Sequence, residues 1–125
     1  MLKPDPVDPR ALAAGLAELW SPRVIGALDD SYIKVAKVRG ELVWHSHDAQ
    51  DELFFVLQGR LRLRLPDRDV ELGPGELFVV PRGVQHLPIA DEECLLLLIE
   101  NKDTAHTGDV VSERTRSIEE QLRDA

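Results

Sequence analysis

Two stretches of sequence decide the fold: GELVWHSHDAQDELFFVLQG at residues 40–59 and GELFVVPRGVQH at residues 75–86. Both are typical of short β-strands that end at glycine or proline turns, and both carry side chains able to bind a metal. His45 and His47 are two residues apart, so on a strand their side chains leave the same face. Glu52 follows a polar connector and can begin the neighbouring strand, opposite the histidines. His86 is remote in sequence, but it follows a turn, where a barrel would place it at the same end.

These four side chains have two interpretations. As separate residues they would be ordinary polar groups that form hydrogen bonds in or near the core. As a set, three imidazoles and one carboxylate suit one divalent transition-metal ion, which would offset the cost of ionising a buried glutamate. The number of candidate ligands favours the metal site, but only the fold can bring His86 to the other three.

The sequence predicts a short helix near each end of the chain and a series of strands between them. Alternating prolines near the N-terminus exclude a helix over residues 1–8 and predict an extended arm. Asp8 then offers an N-cap carboxylate and Pro9 suits the first helical position, so we predict an amphipathic helix over residues 9–20. Near the other end, a serine and glutamate spaced as a capping box predict a helix over residues 117–123.

Between these ends the hydrophobic periodicity changes to two. We predict nine short strands, at residues 24–28, 31–39, 42–47, 52–58, 60–65, 70–72, 77–80, 85–90 and 94–100. Such a series without long helices predicts an all-β sandwich or barrel. The last strand is a continuous apolar run, so its second face should meet the N-terminal helix or another subunit, which favours a homodimer. The predicted organisation is an arm and helix at 1–22, a β-barrel at 23–101 and a polar tail at 102–125 that packs on or near the barrel.

Length, charge and cysteine content limit the expected number of domains, the binding partners and the cellular compartment. A chain of 125 residues is expected to form one domain with a single core. Its net charge of -8 disfavours binding to nucleic acid or to an anionic membrane. Cys94 is the only cysteine, so a reducing compartment, by default the cytoplasm, is expected. We find no secretory signal pattern, and the longest apolar run, residues 94–99, is too short to span a membrane.

The two opening stretches also resemble the two sequence motifs of the cupin superfamily. The first motif is matched by Gly40, His45, His47, Glu52 and Gly59, with one residue fewer than usual between the first glycine and the first histidine. The second motif is matched by Gly75, Pro81, Gly83 and His86, and Ala90 stands where asparagine is usual. The resemblance is in particular to small stand-alone cupins that are similar to the C-terminal domain of mannose-6-phosphate isomerase.

This resemblance implies a fold, an oligomeric state and a metal. The fold would be a double-stranded β-barrel of the cupin or jelly-roll type, usually dimeric. The metal would be a divalent transition metal bound by His45, His47, Glu52 and His86. Iron or manganese is favoured because the family often uses them, whereas zinc, nickel, copper and cobalt also suit three nitrogen ligands and one oxygen ligand.

Three functions remain open at this point, and no residue is assigned a catalytic role. The favoured function is a metal-dependent, dioxygenase-like oxidoreductase acting on a small organic molecule, with Phe54 and Phe78 either lining a dry pocket or packing in the core. The second is an isomerase or lyase of a sugar or keto compound. Lys34 and Arg82 would then bind a phosphate and His106 would transfer a proton, although each is more readily explained as a solvated surface or loop residue. The third is a non-catalytic cupin that binds a small molecule.

Overall fold

The computed structural model describes residues 5–108, 110, 112 and 115–123. In this part of the chain it contains two short helices and seven strands. The elements are, in chain order, α1 Pro9–Ala14, β1 Arg23–Leu28, β2 Ser31–Glu41, β3 Glu52–Gln58, β4 Leu61–Arg64, β5 Asp69–Leu72, β6 Leu77–Val80, β7 Leu87–Asn101 and α2 Ile118–Gln121. The first four residues of the predicted arm and six residues of the predicted tail lie outside the described part.

The strands form one antiparallel sheet organised around β7. The order is β1-β2-β7-β3-β6, and β4 pairs with both β5 and β7. β7 is 15 residues long and therefore pairs with β2, β3 and β4 along different parts of its length. The predicted all-β jelly-roll fold is confirmed, although the hydrogen-bonded path through the described strands does not close into a continuous ring.

Two strand predictions were wrong. Residues 85–90 and 94–100 were predicted as separate strands, but they belong to the single strand β7, which begins at Leu87. Residues 42–47 do not form a strand, although the backbone of His45 makes an isolated bridge with His86. Residues 42–47 are not a strand because of Pro88. Its carbonyl accepts a hydrogen bond from the Leu42 N–H at 3.1 Å, but proline has no N–H to donate in return. The regular ladder between β2 and β7 therefore stops at Glu41.

Helix α1 begins as predicted but is shorter than predicted. The Asp8 side chain accepts a hydrogen bond from the Ala11 N–H, and Pro9 occupies the first helical position. The helix ends at Ala14 rather than at residue 20, because Gly15 follows and favours the end of a helix over its interior. The chain then turns inward at Trp20, whose φ of 56° is left-handed and whose side chain is 4% exposed. The burial of this large side chain replaces the predicted last turns of the helix.

The apolar run in β7 is covered partly by α1. Leu95 packs in a cluster with Ala13, Leu16 and Val35, so the predicted contact between the N-terminal helix and this run is confirmed. Leu97 and other outward residues of the same strand are only half-buried. The homodimer stays a prediction. Neither helix in the described part of the chain is long and apolar enough to cross a membrane.

Candidate metal centre

Two loops hold three of the four predicted ligands at one end of the sheet. The first, residues 42–51, carries His45 and His47, and the second, residues 81–86, ends in His86. The His45 N–H donates to the His86 carbonyl at 3.1 Å, and the His86 N–H donates to the His45 carbonyl at 2.9 Å. The N–H of Gly83, which has a φ of 79°, donates to the His47 carbonyl at 2.8 Å. These backbone hydrogen bonds fix the two loops, and so the histidines, against each other.

The fourth side chain comes from the sheet itself. Glu52 is the first residue of β3 and pairs with Val80 of β6 and Glu100 of β7, which places it at the same end as the two loops. The structure brings His45, His47, Glu52 and His86 together, with one potential ligand atom from each within 4.8 Å of all the others. All four are at most 5% exposed. The four candidate ligands therefore do converge in the structure, which the sequence alone could not show.

Hydrogen bonds on the outer nitrogens orient two of the imidazoles. Nδ1 of His45 lies 2.8 Å from the carbonyl oxygen of Val43, and Nδ1 of His86 lies 3.0 Å from that of Val84. A carbonyl oxygen only accepts, so each Nδ1 carries the proton and each Nε2 of the neutral ring keeps a free lone pair. A free lone pair on the inner nitrogen is what a metal ion requires of a histidine ligand.

The electrostatics of the cluster favour neutral imidazole beside ionised carboxylate. Burial, reinforced by the neighbouring His86, lowers the pKa of His45 to about 4. Burial alone would raise the pKa of Glu52, but contacts with His47, His86 and Glu100 hold it well below its usual value. His45 and Glu52 are thus in the protonation states that bind a cation near neutral pH.

The donor set fits a divalent transition metal. His47 Nε2 and His86 Nε2 each lie 3.3 Å from Glu52 Oε1. All three atoms are buried and have no hydrogen-bond partner in the described part of the chain, which is costly unless another group occupies the space between them. A cation placed there would contact each of them. Nitrogen-rich ligands favour transition metals over calcium or magnesium.

A small cavity of about 30 Å³ adjoins the cluster. Its walls are mostly apolar, and His45 and Glu52 contribute the side of the cavity next to the candidate metal position. The apolar residues on its walls include Trp20, Val38, Leu42, Phe54, Leu96 and Leu98. The arrangement places a small, mostly apolar space beside one face of the cluster.

The two aromatic residues predicted to line a pocket have different positions. Phe54 is on the inner face of β3, lines the cavity and makes an edge contact with the His86 ring at a centroid distance of 6.0 Å. Phe78 is not among the residues that line the cavity. It is partly buried against the core, with the Arg68 guanidinium 5.8 Å from its ring centroid.

Of the two cations considered for phosphate binding, one is buried and the other lies outside the cavity. Lys34 is 1% exposed, so its interpretation as a solvated surface charge was wrong. Its Nζ contacts Glu100 Oε1 at 2.6 Å and also donates to the Gln121 side-chain oxygen. Arg82 is exposed and pairs with Asp51 at 3.6 Å, and its side chain does not line the cavity. Neither cation lines the cavity that adjoins the cluster.

His106 was interpreted as an exposed loop residue, and this was wrong as well. Its ring is partly buried and lines the same cavity as His45 and Glu52. Burial lowers its pKa to about 4. Nδ1 of His106 accepts a hydrogen bond from the Arg116 N–H at 2.9 Å. A histidine in a polar tail gives no pattern that separates this position from an exposed one.

Sequence reasoning missed two further residues at the site. Trp20 was placed on the predicted helix, yet it forms a wall of the cavity and donates from Nε1 to the Arg39 carbonyl at 2.8 Å. Glu100 ends the apolar run of β7 and its carboxyl lies beside Glu52, where burial and the Glu52 charge raise its pKa well above the usual value. The only available indication was that a glutamate follows the apolar run of residues 94–99.

This chain is similar in sequence or structure to several known proteins. A cupin-2 domain containing protein from Shewanella frigidimarina NCIMB 400, whose crystal structure is known, is 43% identical, with a TM-score of 0.70 over 71% of this chain and 87% of that chain. Uncharacterized protein YdbB of Bacillus subtilis (strain 168) is 29% identical over 93 residues, or 74% of this chain and 82% of that protein.

A third relative has a named activity. It is 3-hydroxyanthranilate 3,4-dioxygenase 2 of Aspergillus fumigatus, 29% identical over 87 residues, which cover 65% of this chain and 45% of the dioxygenase. The chain thus spans less than half the length of that relative. The particular resemblance to the C-terminal domain of mannose-6-phosphate isomerase stays a prediction. The family model for the cupin domain matches residues 32–100, more than half of the chain and the whole span from Glu52 to His86, so the chain belongs to the cupin family.

Proposed function

We propose that this cupin is a metal-dependent oxidoreductase of the dioxygenase type that acts on a small organic molecule. The observation that carries the proposal is the convergence of three histidines and one glutamate beside a small, mostly apolar cavity, which His45 and Glu52 help to line. An iron or manganese ion bound there would supply Lewis acidity and redox chemistry with dioxygen.

The protein residues have three tasks in this proposal. His45 and His86 present unprotonated Nε2 atoms, because their Nδ1 protons are held by backbone carbonyls. Glu52 supplies a negative charge that partly neutralises a divalent cation in a buried position. Trp20 and Phe54 keep the adjoining space apolar, which excludes water and protects a reactive intermediate from side reactions.

The similarity to 3-hydroxyanthranilate 3,4-dioxygenase 2 supports the same class of reaction. It covers less than half of that protein, so we propose only the reaction class and leave the substrate of the relative out of the proposal. The alternative of a sugar isomerase or lyase has less support. A polar sugar would find few partners on the cavity walls, and Lys34 and Arg82, the cations considered for a phosphate, are paired with Glu100 and Asp51.

The test has two stages, both on protein purified without a chelator. Elemental analysis is expected to give about one divalent transition metal per chain. The iron(II) form, reconstituted without oxygen, is then screened in an oxygen electrode against small diol and carbonyl compounds. Oxygen uptake that depends on one of these compounds supports the proposal.

Variants separate a metal-centred reaction from adventitious oxygen uptake. His47→Ala is expected to lose the metal and the uptake while keeping its circular dichroism spectrum. His106→Ala, which leaves all four ligands in place, is expected to keep the metal. Full metal retention in His47→Ala would overturn the site, and tight binding of a compound without oxygen uptake would favour the non-catalytic alternative.

A further inference from the structure

The proposed function leaves unexplained one polar side chain of the cavity, His106. It lies outside both ligand loops, on the segment that follows β7, and yet its ring lines the same small cavity as His45 and Glu52. A polar group on an otherwise apolar wall usually fixes the orientation of whatever binds there.

The hydrogen bonds around His106 define its tautomer. Nδ1 accepts the Arg116 N–H at 2.9 Å, so Nδ1 carries no proton. A neutral imidazole with an unprotonated Nδ1 has its single proton on Nε2. The ring stays neutral near neutral pH because burial lowers its pKa to about 4. His106 therefore brings one N–H donor, and only a donor, on the side away from Arg116.

A chain of contacts holds the segment that carries this ring. The Arg116 carbonyl accepts a hydrogen bond from the Gln121 side-chain amide at 2.9 Å. The Gln121 side-chain oxygen in turn accepts from Lys34, which lies inside the sheet and pairs with Glu100 at 2.6 Å. Gln121 is itself 2% exposed. The backbone group that sets the tautomer of His106 is thus anchored to the barrel interior rather than to a free surface loop.

We propose that His106 is a substrate-binding residue whose Nε2–H donates a hydrogen bond to an oxygen of the small molecule bound beside the metal. The inference rests on the proposed metal centre and specifies the chemistry of its ligand. A compound with an anionic oxygen gains most from such a donor, because hydrogen bonds to charged acceptors are the stronger ones. The favoured ligand class is therefore small, largely apolar, and able to bind the metal through oxygen while one of its oxygens accepts the hydrogen bond from His106.

Two variants of His106 distinguish the role of Nδ1 from the role of Nε2. His106→Asn keeps an acceptor near the position of Nδ1 for the Arg116 N–H but does not reach the position of Nε2. His106→Gln keeps an N–H donor near the position of Nε2. The probe is acetohydroxamate, a small anionic chelator with two oxygens, titrated into the cobalt(II)-loaded protein and followed by the visible bands of cobalt.

We expect cobalt content to be the same in the wild type and both variants. His106→Gln should bind acetohydroxamate within about threefold of the wild type, whereas His106→Asn should bind it about tenfold more weakly, the change expected for one hydrogen bond to a charged oxygen. Urea unfolding is measured in parallel, because a purely structural role predicts the opposite order, with His106→Asn closest to the wild type in stability and no difference in affinity.

Failure of this inference alone can be distinguished from failure of the proposed metal centre. Equal acetohydroxamate affinity in all three proteins, with cobalt bound, would overturn the role of His106 and leave the metal centre intact. Failure of the wild type to bind cobalt would overturn the metal centre and this inference with it. Cobalt binding without any spectral response to acetohydroxamate would show a metal closed to ligands, which would also overturn both.

Discussion

The ammonium group of Lys34 is buried, and it contacts the side chains of Glu100 and Gln121. A buried lysine and glutamate pair is stable only as a pair, because removal of one partner leaves the other charge without compensation. Glu100 also neighbours Glu52, which raises the pKa of Glu100, and the Lys34 ammonium group opposes this rise. This single side chain connects the stability of the barrel to the electrostatics of the metal ligands.

Lys34→Met tests this connection. We expect the free energy of unfolding to fall by about 3 kcal/mol, the lower part of the range for breaking a buried ion pair, since Glu100 can take up a proton in response. Lys37→Met is the matched control on the same strand, because Lys37 pairs with the exposed Glu93 at 4.0 Å and an exposed pair contributes less than about 1 kcal/mol. Urea unfolding measures both. Equal losses in the two variants would contradict the role assigned to Lys34.

Among the connecting elements, the loop after β7 packs closely against the backbone of the first ligand loop at Gly108. Its φ is 59°, and a Cβ built there would lie 2.0 Å from the Ser46 carbonyl oxygen. Ser46 stands between His45 and His47 in the chain. A side chain at position 108 would therefore push directly on the backbone that holds two ligands.

Gly108→Ala is expected to lower both stability and metal affinity. Left-handed backbone without glycine adds about 1–2 kcal/mol of strain, and the clash with Ser46 adds to it. Gly75→Ala is the control, because Gly75 has a φ of 82° but open space around its Cβ position, so it carries the strain without the clash. Unfolding and chelator competition are measured for both. The idea fails if Gly108→Ala retains the metal as tightly as Gly75→Ala.

In the molecule as a whole, folding lowers the pKa of some groups and raises the pKa of others. The lowered pKa of His106 means that the folded protein keeps this ring neutral while the unfolded chain protonates it near pH 6.5. Its contribution to stability is complete above pH 6.5 and is lost as the pH falls toward 4. The raised pKa of Glu100 acts in the other direction, so the total pH curve mixes the two effects.

Comparison with His106→Gln isolates the histidine. We expect the metal-free wild type to lose stability relative to this variant as the pH is lowered from 7 to 5, by at most about 2 kcal/mol, since each pKa unit corresponds to 1.36 kcal/mol. Urea unfolding at several pH values measures the difference. A constant difference across this range would mean that His106 titrates normally in the folded protein.

The sequence allowed prediction of those features that depend on local spacing. The pair His45 and His47, the strand start at Glu52 and the helix cap at Asp8 all follow from patterns within a few residues. The environments of Lys34 and His106 could not be predicted in this way. Their burial depends on where the polar tail packs against the sheet. A lysine on a strand or a histidine in a polar tail has the same local pattern whether or not another segment covers it.

The backbone bonds between the His45 and His86 segments also bear on how the protein matures. Forty positions of chain separate these two histidines in sequence, and they meet only through the paired loops that β3 and β7 bring together. Before the sheet assembles, nothing therefore holds His86 beside the other three candidate ligands. Binding of a metal by all four residues is accordingly expected to depend on folding of the sheet.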